Sequence, residues 1–175
     1  MSREQQLVLA SHYRIQVAYA SDGRSTDTIQ DLNLNARDSL ARHLKRYFSY
    51  VQIAAAPQTL EQALAVAKTQ GAQLLMYPRI ENWPNIAPIR VQECADKDGN
   101  TKTGIGPCES RNESDSDELV VNVGIYDVVS GQHVDSIHAR SQRGVASYVY
   151  ENSEQELDEL NRMIVMRLSS KSTTY

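Results

Sequence analysis

No apolar run in this chain approaches the roughly 20 consecutive residues that a membrane-spanning helix needs, and none of its 175 residues is placed so as to lengthen one. The start, MSREQQLVLASHY, also lacks a long apolar stretch and reads as free of a signal peptide. Its short Leu7–Ala10 run suits a first strand or a docking segment better than the core of a leader. Positive charge is not in excess: Lys and Arg number 18 against 22 Asp and Glu, a net charge of −4, with a pI near 5.6. That balance argues against general affinity for nucleic acid or for anionic membrane surfaces. There is no nucleophile elbow, no H-x-x-E-H pattern and no short internal repeat. A hydrolase nucleophile needs a base beside it, and with 22 acidic residues a pair of carboxylates on one face has no diagnostic value. No catalytic residue, cofactor or metal site is assigned.

Cysteine is scarce too, with Cys94 and Cys108 alone, both in the most polar part of the chain, separated by Gly99, Gly104, Gly106 and Pro107. A disulfide between them would stabilise by roughly 3 kcal/mol through loop entropy, and it would imply an oxidising, extracytoplasmic compartment. The other reading is two reduced, solvent-exposed thiols in a cytosolic loop. Zinc fits less well than either, since no C-x-x-C or nearby His completes four ligands.

What is present begins with Thr59–Trp83. Leu60, Ala63, Leu64 and Ala67 recur at helical spacing. Thr59 and Gln62 form a capping box, and Gly71 supplies the left-handed residue past the helix end. Ala72–Tyr77 is then a buried strand ended at Pro78, and 78–84 continues as an extended segment. Before this unit, Tyr13–Ala20 alternates like a strand, with Tyr13, Ile15, Val17 and Tyr19 on one face. Thr26 or Asp27 caps a long helix striped by Ile29, Leu32, Ala36, Leu40, Leu44 and Tyr47. Arg42, His43, Lys45 and Arg46 cluster at its C-terminal end, where cations suit the helix dipole; a small anion- or partner-binding patch is the alternative, and His43 is expected to be solvated. Ser49–Ala56 is a second strand. The loop Ser21–Ser25 lacks the glycines and lysine of a phosphate cradle.

Residues 85–117 read as a long polar, Gly-rich, mobile excursion between strands. Asp96–Asn100 has the acid spacing that opens a calcium loop, but its glycine comes too early and Pro107 stands where the closing Glu belongs. Glu118–Tyr126 is a strong strand with Leu119, Val121, Val123 and Ile125 on one face. Asp127–Gln132 turns, with Gly131 suited to positive φ, and 133–141 returns as an edge strand or one with a wet face. His133 and His138, an odd number of positions apart, should point to opposite faces. Ser153 and Glu156 form a second capping box, and Leu157, Leu160, Ile164 and Leu168 carry the last helix.

The order predicts an α/β (α+β) fold: a β-α-β-α-β start, a long antiparallel hairpin and a C-terminal helix around a mixed sheet with helices on one or both faces. Residues 1–12 are expected to be a loosely held start, 13–168 one domain with an insertion at about 85–117, and 169–175 a frayed tail. YRIQVAYASDGRS, the long helix, VQIAAAPQTLEQALAVAKTQGAQLLMYPRIENW and VNVGIYDVVSGQHV together resemble the bacterial envelope lipoproteins of the DUF4823 type and, more distantly, the amino-terminal domain of TolB and the activator LpoB. The resemblance covers roughly residues 13–168 and transfers a fold, with no catalytic residue. It implies a periplasm-facing domain of the cell envelope, anchored by a lipid on an upstream cysteine that this chain does not carry.

The leading functional expectation is a non-catalytic protein-binding or scaffold domain with an envelope protein partner. The 85–117 excursion, Trp83, Tyr148 and Tyr150 are its candidate contacts; Trp83 equally suits a cap over one edge of the core. An oligomerising accessory subunit of an envelope machine (secretion, flagellar or peptidoglycan synthesis) is the alternative. A cytosolic domain binding a small anion at Ser21–Ser25 is the third.

Overall fold

The computed structural model describes residues 7–21, 27–84, 91–95, 101–105, 118–141 and 152–169, with 91–95 and 101–105 described by their backbone pairing. The elements are β1 (Arg14–Val17), α1 (Asp27–Leu44), β2 (Tyr50–Ile53), α2 (Leu60–Thr69), β3 (Leu74–Asn82), β4 (Val91–Ala95), β5 (Thr101–Ile105), β6 (Val120–Asp127), β7 (His133–Arg140) and α3 (Ser153–Leu168). The main sheet has five strands in the order β2-β1-β3-β6-β7, and β4 and β5 form a separate antiparallel pair. β1 is parallel to β2 and β3, and the β3–β6 and β6–β7 ladders are antiparallel. This is the mixed α+β sheet expected from the sequence, with both terminal strands of the hairpin prediction in place. The 85–117 excursion is not loop throughout, since it contains the β4–β5 hairpin.

The chain steps from β1 outward to β2, then back past β1 to β3. Right-handed crossovers in opposite directions put their helices on opposite faces. The alternation along β3 divides accordingly. Leu74, Met76 and Ile80 join the core built with α1 and α3, while Leu75 and Tyr77 join the core under α2. The two layers are unequal. Leu32, Leu40 and Leu44 of α1 and Leu157, Leu160, Ile164 and Leu168 of α3 fill the first; α2 contributes Ala63 and Ala67 against Ala18 and Ala20. At roughly 0.8 kcal/mol per buried CH₂, the α1–α3 layer carries most of the apolar stabilisation, and the alanines let α2 sit close to the sheet.

Local signals set the ends of α2. Thr59 Oγ1 accepts from the Gln62 N–H and Gln62 Oε1 accepts from the Thr59 N–H, and Gly71 has φ 73°. The second cap falls one residue earlier than the Ser153–Glu156 box expected, as a simple N-cap. Asn152 is the cap of α3, its Oδ1 accepting from the Gln155 N–H at 2.9 Å, so Ser153 is already the first helical residue. β3 also runs on through Pro78 to Asn82. Pairing with β1 stops at Met76, so the missing proline N–H removes no ladder bond. Beyond that point Asn33 of α1 takes the place of a neighbouring strand: its Oδ1 accepts from the Ile80 N–H at 3.0 Å and its Nδ2 donates to the Ala20 carbonyl at 3.2 Å. Leu9 is a docking segment rather than a loose end. It is buried, and its N–H donates to the Leu168 carbonyl at 2.8 Å.

Candidate functional site

α2 covers the β1–β3 half of its sheet face. Among the described residues the same face stays open over β6 and β7 and borders a cleft of about 520 Å³, lined by Ser21, Thr59, Leu60, Tyr77, Arg79, Asn122, Gly124, Tyr126 and Ser136. Alternate positions of β3, β6 and β7 supply the floor, as the period of two requires. Gly124 makes room for the Tyr126 ring: a Cβ there would stand 2.8 Å from Tyr126 Cε2. Tyr77 closes one wall, its hydroxyl donating to the Gln58 carbonyl at 2.9 Å and accepting from the Ser21 N–H at 3.2 Å. Asn122 donates to Glu81 Oε1 at 3.1 Å, while its buried Oδ1 has no partner among the described residues. Glu81 Oε2 in turn lies 3.8 Å from His138 Nδ1. Hydroxyls, an amide and one guanidinium make this a surface that can bind by hydrogen bonding.

The two β7 histidines share this face, against the parity expectation. A register shift pairs Ile125 with Asp135 and Tyr126 with His133, so one extra residue, Val134, sits between them. A bulge of one residue restores the parity. His133 packs edge-to-face on Tyr126 at 5.3 Å, and its Nε2 lies 2.6 Å from Ser136 Oγ. His138 pairs with Asn122, four β6 residues from Tyr126. That is about 13 Å at the usual strand rise, too far for one metal ion. Among the described residues no group of three or more His, Cys, Asp or Glu could hold a metal.

A second cluster has the residue types of a hydrolase in a different order. Ser39 Oγ at 2.8 Å, Arg42 Nη2 at 2.5 Å and His43 Nε2 at 2.9 Å all bond to Asp158 Oδ1. In a catalytic triad the imidazole lies between hydroxyl and carboxylate. Here the carboxylate lies between them, so the hydroxyl donates to an acid instead of to a base. The arrangement fastens α1 to α3. It also corrects the expectation for His43, which is buried, at 2% exposure, because α3 covers it; its partner is too distant in sequence to be read from spacing.

Trp83 is partly buried against the α1–α3 core, the cap position weighed above. Cys94 lies in β4, paired with Lys102, while Cys108 lies outside the described residues, and the structure lends the expected disulfide no support. Tyr148, Tyr150 and residues 22–25 of the anion-loop reading also lie outside the described residues. The cleft residues were missed by sequence reasoning, yet a signal existed. The positions Asn122, Gly124 and Tyr126, and likewise Arg79 and Glu81, lack the aliphatic side chains that a covering helix would demand.

A family model described as "Domain of unknown function (DUF4823)" matches residues 8–161. Comparison with curated proteins finds no match. Among solved structures, a PelC dodecamer from Paraburkholderia phytofirmans is 20% identical, with 93% of this chain and 91% of that chain covered and a TM-score of 0.59. A second PelC dodecamer from the same organism is 18% identical, covering 95% and 96%, with a TM-score of 0.58. The LpoB C-terminal domain from Salmonella enterica is 11% identical over 77% of this chain and 86% of that one, at a TM-score of 0.38, too distant to argue from. The two PelC likenesses establish the fold.

Proposed function

The chain belongs to the DUF4823 family, and on that footing we propose that it is a non-catalytic scaffold domain of the cell envelope that works as an assembly of several copies and holds other envelope proteins. The observation that carries this reading is the likeness, over nearly the whole chain, to PelC, which was solved as a dodecamer. A five-stranded sheet ending on two strands with one neighbour each is compatible with repeated association. The Ser39–Asp158–His43 order supports a structural use of the residues most suited to catalysis. Membrane attachment in this reading comes from a lipid upstream of this chain. Trp83, Tyr148 and Tyr150 remain proposed contacts for a partner protein.

Crosslinking in intact cells expressing the native gene, followed by fractionation, tests the reading. Crosslinked multimers in the envelope fraction are expected. A protein recovered only as an uncrosslinked cytoplasmic monomer overturns it.

A further inference from the structure

Among the described residues the main sheet ends on two edges without a strand partner, β2 on one side and β7 on the other. β1, β2, β3 and β7 run in one direction and β6 in the other. The register can therefore be followed level by level across the sheet. Ile53 pairs with Val17, Val17 with Met76, Met76 with Ile125 and Ile125 with Asp135. Ile53 and the Val134–Asp135 bulge thus lie at one level on opposite edges. Tyr50 pairs with Arg14, the Arg14 carbonyl accepts from the Gln73 N–H, and the Gln73 carbonyl accepts from the Val128 N–H. Tyr50 is therefore level with the start of the hairpin tip, at Val128–Val129.

Four of the exposed large apolar side chains fall on these same levels. On the β2 edge they are Tyr50, 53% exposed, and Ile53, 37%; on the other edge they are Val129, 78%, and Val134, 45%. Single exposed hydrophobics are ordinary, but two on each edge at matching levels are complementary. Charge matches too. Arg14 lies over the Tyr50 ring at 5.1 Å, and exposed Lys45 and Arg46 precede β2. Across the sheet, Asp127 ends β6 and Asp135 lies within β7. Strand edges carry free N–H and C=O groups that template pairing.

We infer that copies of this chain join head to tail, β2 of one copy beside β7 of the next with strands parallel, Ile53 meeting Val134 and Tyr50 meeting Val129. This rests on the self-assembly reading above and names its interface. The contact is heterologous, so its repetition closes into a ring when the rotation per copy permits.

Sedimentation velocity on purified wild type, Ile53→Lys, Val134→Lys and their equimolar mixture tests it. Both positions are exposed, and unchanged circular dichroism will verify folding. Wild type is expected as multimers and each variant as a single chain of 19.6 kDa, because every interface needs one edge of each kind. The mixture is expected to give a species of twice that mass, since one intact pair of edges remains. If wild type is a monomer at every concentration, the self-assembly reading itself falls. If wild type assembles and both variants assemble equally well, the interface assignment alone falls. If only one variant dissociates, the contact is edge to like edge, and the head-to-tail geometry is wrong.

Discussion

His43 Nε2 of α1 donates to Asp158 Oδ1 of α3 at 2.9 Å, a buried imidazole held by a carboxylate at the solvent boundary. Ser39 and Arg42 converge on the same oxygen. The helices that build the larger core are thus tied by one acid on α3 and three donors on successive turns of α1. The apolar layer gives these helices their adhesion; the Asp158 cluster fixes which way α3 is turned.

Asp158→Ala strands the His43 N–H and the Ser39 hydroxyl. A cost of about 1–3 kcal/mol is expected, read by urea denaturation, with Asp158→Asn costing less because it keeps an acceptor. Burial pushes the Asp158 carboxyl up, but the bonds from Ser39, Arg42 and His43 outweigh it and hold the pKa below its ordinary 3.8. A carboxylate depressed in the folded state contributes stability above its unfolded pKa and loses it as pH falls through the folded value. Wild type should therefore lose part of its advantage over Asp158→Asn on acidification below about pH 4. With the side chain 39% exposed, screening keeps this pH-dependent part to a fraction of the total. A wild-type advantage that does not shrink on acidification would show that the carboxylate charge contributes nothing.

Asn33 performs two backbone duties at 1% exposure, serving the Ala20 carbonyl and the Ile80 N–H. Asn33→Ala removes both of these buried bonds, for a cost of about 3 kcal/mol at roughly 1–3 per lost bond. Hydrogen exchange gives a local readout. The Ile80 amide should exchange faster relative to β6 amides, and unchanged relative protection would show that Asn33 is not its effective partner.

What was legible in the sequence was local. Thr59, Gln62 and Gly71 set the ends of α2 within a dozen residues of one another, and the aliphatic alternation of β6 declared its core face. What was not legible depended on distant chain. His43 looked solvated because its partner comes 115 positions later. Pro78 looked like a terminator because only the sheet order shows that β1 has already stopped pairing there. His133 and His138 looked opposed because a bulge at Val134 leaves no mark in residue type. The cleft lay between: its residues were visible as a non-aliphatic face, but the fact that α2 stops short of covering them follows from the crossover.

Gln16 is the clearest place where the fold has forgone stability. It is 1% exposed on the α2 side of β1, level with Gln52 and Leu75, and among the described residues neither Nε2 nor Oε1 has a hydrogen-bond partner. Taking an amide out of water without a partner costs roughly 1–3 kcal/mol on the protein scale, whereas methionine has nearly the same shape and no such demand. Gln16→Met is therefore expected to raise stability by about 1–2 kcal/mol, measured as a higher urea midpoint at unchanged slope. Gln16→Ala separates the two contributions: it removes the unpaired amide but opens a cavity under α2, so it should fall below Gln16→Met by about 2 kcal/mol or more. A Gln16→Met protein less stable than wild type would mean that the amide is satisfied in solution and that β1 depends on it.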